Sequence, residues 1–96
     1  MACYFIAQIR ISDPVEYQKY LDGVDEIFNR YDGKYLVVSD SPVVLEGQWP
    51  YTRVVVIRFP DERELRRWYE SEEYRELLQH RLKAAECDTV IVNGCE

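Results

Sequence analysis

An α+β fold, the ferredoxin-like βαββαβ sandwich with an antiparallel sheet, is what this sequence predicts, and three features carry the prediction. Two amphipathic stretches with helix-start signals, near 13–33 and 61–82, separate the strand-like segments. Arg53–Phe59 holds Val54, Val55, Val56 and Ile57 in unbroken succession, and further β-branched runs lie near both ends of the chain.

Each element has a local reason. In Tyr4–Ile11 the alternate set Phe5, Ala7, Ile9 and Ile11 is wholly apolar while the other set carries Gln8 and Arg10, the pattern of a strand with one buried face. Asp13-Pro14-Val15-Glu16 reads as an N-cap, a proline whose missing N–H is harmless in the first turn, and an acid placed to reach back to the cap N–H. Tyr17, Tyr20, Leu21, Val24, Ile27, Phe28 and Tyr31 then recur at three- and four-residue steps, and Gly33 is a natural stop. Lys34–Val38 and Val43–Gln48 read as one edge strand, broken by an excursion or bulge at Ser39-Asp40-Ser41-Pro42. Trp49–Thr52 turns the chain into Arg53–Phe59, apolar on both faces as a central strand is. Asp61 and Glu64 repeat the capping signature and open a helix with Leu65, Trp68 and Tyr69 facing inward. Ser71 caps a further segment whose inner stripe is Tyr74, Leu77, Leu78 and Leu82, and Thr89–Asn93 supplies the last strand.

With 96 residues the chain has room for one domain, 1–96, and a limited core, so sharing a core with a second copy is an economical route to stability. The sheet face away from the helices would carry Ile6, Val54, Val56 and part of the Val90–Val92 run, an apolar patch too large to leave in water. Two such faces packed together make a homodimer, a dimeric α/β barrel with an isologous interface. A net charge of −6 and a pI near 4.8 argue against nucleic acid and anionic membrane surfaces as partners. Neither a secretory signal nor a run of about 20 apolar residues is present, so a soluble, cytoplasmic protein is expected. The odd cysteine set, Cys3, Cys87 and Cys95, has no CxxC pair. Reduced thiols, no metal site and no cofactor are expected, with Cys3 and Cys95 neighbours across the sheet yet unbonded.

Tyr31-Asp32-Gly33-Lys34-Tyr35-Leu36, Leu45-Glu46-Gly47-Gln48-Trp49, the Arg53–Pro60 strand, Trp68-Tyr69-Glu70-Ser71-Glu72-Glu73-Tyr74 and Arg81 together carry a resemblance. The chain resembles, almost end to end, the domain of unknown function 1330 family of uncharacterised bacterial proteins, within the dimeric α/β barrel superfamily. That superfamily includes cofactor-free monooxygenases, lactone isomerases and haem-handling enzymes, so the resemblance implies a fold and a cleft and no particular activity. One departure is visible: where the family usually has an arginine and glycines, this chain has Val38-Ser39-Asp40.

Candidate site residues follow. Glu46, flanked by Leu45 and Gly47 on a half-buried strand, is the candidate general base with a raised pKa, although a structural ion pair with Arg53 across the hairpin is the favoured reading of the same residue. Tyr35, Arg53, Trp68, Tyr69, Tyr74 and Arg81 are candidate ligand-binding residues, aromatic rings with polar tips for a flat organic ligand and cations for its charge; core packing is the competing reading for the aromatics. The stripe tyrosines Tyr17, Tyr20 and Tyr31 read as core. His80, the single histidine, reads as part of a solvated helix face near Glu76, and Arg63, Arg66 and Arg67 as one half of a mixed-charge surface. Two functions remain in view. The first is a small-molecule-binding dimeric α/β barrel, extending to a cofactor-independent enzyme that acts on an organic acid or aromatic metabolite by proton transfer, with Glu46 as base and Arg81 as anion partner. The second is a non-catalytic homodimeric binding or interaction module.

Overall fold

A computed structural model describes residues 1–95. Strands β1 (Cys3–Ile11), β2 (Lys34–Ser39), β3 (Arg53–Phe59) and β4 (Ala85–Asn93) form one sheet in the order β2-β3-β1-β4. All its pairings are antiparallel. Helices α1 (Pro14–Phe28), α2 (Glu62–Tyr69) and α3 (Glu72–Ala84) bury their inner stripes in a common core with one sheet face. This is the ferredoxin-like α+β sandwich the sequence predicts.

The core forms because the sheet's period of two meets the helices' period of 3.6. Phe5, Ala7 and Ile9 of β1 and Val55, Ile57 and Phe59 of β3 are buried on the helix side, against Tyr17, Tyr20, Val24 and Phe28 of α1. Leu65 and Trp68 of α2 and Tyr74 and Leu78 of α3 close it. Gly33 earns its place sterically, since a Cβ there would stand 2.6 Å from the Phe28 ring and 2.7 Å from that of Phe59.

The caps form in half. Asp13, Asp61 and Ser71 each accept a hydrogen bond from the backbone N–H three residues on. The reciprocal arm at Glu16 is absent, because the Asp13 N–H donates instead to the Ala84 carbonyl and the Glu16 carboxylate turns to Lys19 and His80. His80 is thus half-buried and bridges α3 to α1, where the sequence reading had placed it on a solvated face with Glu76. The hydrogen bonds from His80 and Lys19 hold the Glu16 carboxyl below its usual pKa of 4.5. A carboxyl depressed on folding contributes stability that is complete above its unfolded pKa and is lost as pH falls through the folded value. Glu16→Gln should therefore lower the urea midpoint at pH 7 and lower it less at pH 3, below the usual carboxyl value of 4.5. An equal penalty at both pH values would show that the carboxylate's charge contributes nothing.

Three expectations need correction. Val43–Gln48 is not a strand: five of the seven residues of β3, 54–58, pair with Lys34–Ser39, and the chain from 40 to 52 leaves the sheet through Pro42, Gly47 at φ +79° and Pro50. Val43 and Leu45 are consequently 86% and 92% exposed, and the register irregularity of the edge strand falls earlier, between Tyr35 and Val37. The inner stripe of α3 runs through Arg81, which is 3% exposed, to the buried Ala84, whereas Leu82 is 56% exposed. The last strand begins at Ala85, four residues before the sequence suggests.

The opposite sheet face carries the predicted apolar row, with Ile6 standing between Val56 and Val90 across the ladders. Val37 and Val92 extend it, and both are exposed. At one end the 40–52 segment folds back over this face, where the Tyr51 hydroxyl meets the Asp88 carboxylate and Trp49 packs edge-on against Tyr51 at 5.7 Å. Cys3 is sealed in the core and Cys95 is exposed beyond β4; all three thiols are free. Among the described residues no helix is long and apolar enough to cross a membrane.

Candidate functional site

Beneath α1 the sheet and helices leave a cavity of about 360 Å³. Its floor is apolar, made by Phe5, Ala7 and Ile9 of β1 with Val55 and Ile57 of β3. At the middle of β1 the floor residue is the small Ala7, between Phe5 and Ile9.

The polar groups sit on the walls. Tyr17, Tyr20 and Asp25 descend from α1, Tyr35 and Arg53 come from the sheet edge, and Trp68 and Arg81 from the other helices. Tyr20 and Tyr74 share a hydrogen bond of 2.6 Å between their hydroxyls, with the Arg81 guanidinium 5.7 Å from the centre of the Tyr20 ring. Burial pushes the phenols of Tyr17, Tyr20, Tyr35 and Tyr74 upward, so all four stay protonated at neutral pH; at Tyr35 the nearby Asp25 adds to the rise. Arg53 lies over the Tyr17 ring at 5.9 Å and donates to Asp40 at 2.7 Å. Two buried donors, Trp68 Nε1 and Arg53 Nε, have no hydrogen-bond partner among the described residues.

The predicted site residues divide. Tyr35, Arg53, Trp68 and Arg81 line the cavity together. Tyr74 is wholly buried behind it and touches it through Tyr20. Tyr69 faces a separate groove of about 420 Å³ along β4, between α2 and α3. Glu46 is outside both, exposed on the 40–52 segment without an ion pair among the described residues, because the strand that would have carried it inward does not form. The expected Glu46–Arg53 pair is replaced by Asp40–Arg53. Asp25 and Tyr20 were not among the predicted ligand residues. Tyr20 was visible in the sequence as a stripe residue, but nothing in its spacing separates a packed ring from one facing a void. Arg66 of α2 pairs with Glu62 and Glu70 and Arg67 with Glu64, which makes the mixed-charge surface expected of these two arginines. Among the described residues no group of three or more His, Cys, Asp and Glu is placed to hold a metal.

A ferredoxin-like sheet with a part-enclosed, tyrosine-walled cavity on its helix side defines the class: an α+β protein with room for a small organic ligand. The chain belongs to the family described as Domain of unknown function (DUF1330), which it matches over residues 2–95. No curated protein matches it. Among solved structures it is similar to a protein of unknown function from Rhodopseudomonas palustris, at 17% identity and a TM-score of 0.78 over 99% of this chain and 83% of that one. It is similar also to SnoaB, a cofactor-independent oxygenase from Streptomyces nogalater, at 11% identity and a TM-score of 0.70 over 99% and 94% of the two chains. A dimeric ferredoxin-like protein of unknown function from Thermobifida fusca aligns at 16% identity and a TM-score of 0.70, over 98% and 92%. Identities this low establish the shared fold alone.

Proposed function

We propose that the protein is a homodimeric α/β barrel that binds a small organic acid or aromatic metabolite in the cavity beneath α1. The observation that carries this reading is the cavity: about 360 Å³ of mostly apolar space, at the small end of the roughly 300–1,000 Å³ typical of ligand pockets, with a few polar groups converging on it. A domain this small that needed only stability would fill such a space, since interiors are packed to crystal-like density. The apolar Ile6–Val56–Val90 row, half-buried at Ile6 and Val56 and exposed at Val90, supports the homodimer. Glu46 does not reach this cavity within one chain, and the carboxylate that does line it is Asp25, so proton transfer, if the bound molecule undergoes it, begins from a different base than the sequence suggests. The Streptomyces nogalater neighbour is a cofactor-independent oxygenase; it lends support to chemistry without a cofactor on this scaffold and specifies no reaction here.

A thermal-shift panel of aromatic and organic acids tests the reading. A ligand at a hundred times its Kd should stabilise the fold by about 2.7 kcal/mol, and Ala7→Leu, which fills the cavity floor, should abolish the shift. A panel without effect, or equal shifts in both proteins, would contradict it.

A further inference from the structure

Resting on that reading, we propose that the cavity is a site for an aromatic monocarboxylate, with the carboxylate received by Arg81 and the ring held on the apolar floor. The argument is one of unmatched charge and unmatched donors. Arg81 is 3% exposed, yet among the described residues its guanidinium enters no ion pair. The groups that face it are the Tyr20 ring, the Tyr74 hydroxyl and the Cys87 thiol, of which the two phenols are held neutral by burial. Both carboxylates near the cavity are engaged elsewhere: Asp40 pairs with Arg53 at 2.7 Å, and Asp25 lies against the Tyr35 hydroxyl. A guanidinium does not shed its proton in a protein, and a buried cation without an anion is costly. An anionic ligand removes that cost.

The hydrogen-bond inventory selects in the same direction. Among the described residues the unpartnered buried side-chain atoms are Trp68 Nε1 and Arg53 Nε, both donors, on two residues that line this cavity. Trp68 is 1% exposed, so its N–H has no solvent to satisfy it. The Tyr20–Tyr74 hydroxyl pair retains one hydrogen after its mutual bond and can donate it onward. A cavity rich in donors and poor in free acceptors favours a ligand group made only of acceptors, which an ionised carboxylate is and an amide or an amine is not. The remaining surface, Phe5, Ala7, Ile9, Val55 and Ile57, is hydrocarbon and suits one or two fused rings. With Arg53 already paired, one uncompensated cation matches one carboxylate and disfavours a diacid.

Calorimetric titration of the full chain at pH 7 with 2-naphthoate, 2-naphthamide and 2-naphthylmethylamine tests this. The carboxylate should bind at least about tenfold more tightly than the amide, and the amine more weakly than either. In Arg81→Gln, checked for folding by circular dichroism, the carboxylate's advantage over the amide should fall to about threefold or less while amide affinity is kept. The comparison among ligands on the unaltered chain stands even if that variant does not fold. Equal binding of carboxylate and amide, or tighter binding of the amine, would overturn the anion subsite and leave the cavity as a neutral aromatic site. Absence of binding by all three would count against the cavity reading itself.

Discussion

Trp68→Ala should lower the unfolding free energy by about 3–5 kcal/mol, the range for removing a buried aromatic side chain. Trp68 is 1% exposed and is the ring on which the core converges. It packs edge-on against Phe5 at 5.4 Å and Phe28 at 5.8 Å, and at lower tilt against Tyr74 at 4.4 Å and Phe59 at 5.6 Å. These contacts come from β1, α1, α3 and β3, so the indole ties every layer of the sandwich together, and its loss would open a void continuous with the existing cavity. Trp68→Phe should cost less, since it keeps one ring and removes a donor that has no partner. Urea unfolding monitored by far-ultraviolet circular dichroism measures both; a loss below about 1 kcal/mol for the alanine variant would show that the core is not organised around this ring.

Val56→Asp should convert a dimer into a monomer. Val56 sits opposite Ile6 in the middle of the sheet's bare face, with Val90 beyond it on the other side of β1. In a face-to-face dimer a carboxylate there would be buried without a partner, and the isologous geometry would place two of them in one interface. Because Val56 points away from the helices, the substitution leaves the core intact, so the monomer should remain folded. Sedimentation velocity at micromolar concentration distinguishes the states. A wild-type chain that sediments as a compact monomer would contradict the homodimer, as would a Val56→Asp chain that remains dimeric.

How far the sequence revealed this arrangement depended on whether local chemistry was enough. The strand alternation of Phe5, Ala7 and Ile9, the caps at Asp13, Asp61 and Ser71 and the valine run of β3 are local signals, and each produced the expected element. Val43–Gln48 misled because β-propensity measures how side chains suit a sheet, while a strand also needs an edge to pair with, and β3 has none left beyond Ser39–Val54. Glu46 followed that segment out of the site. Arg81 entered the candidate list through the family resemblance, although it stands seven residues after Tyr74 and three after Leu78, squarely on the inner stripe of α3. A charged residue at a core position is the signal for the proposed anion subsite, and the spacing makes it legible. The cavity was not, because a void is a difference between the volumes of Ala7 and its neighbours across three elements, which no single stretch of sequence contains.

The claim that the space beneath α1 is the ligand site is tested most directly by following backbone amide resonances during titration with 2-naphthoate. Shifts should concentrate at Ala7, Ile9, Tyr20, Val55 and Arg81, which surround the cavity, and should be small along Leu82 and Thr89–Ile91 in the groove beside β4. Saturating shifts confined to that groove, or spread over the bare sheet face at Val56 and Val90, would place the ligand elsewhere and contradict the account.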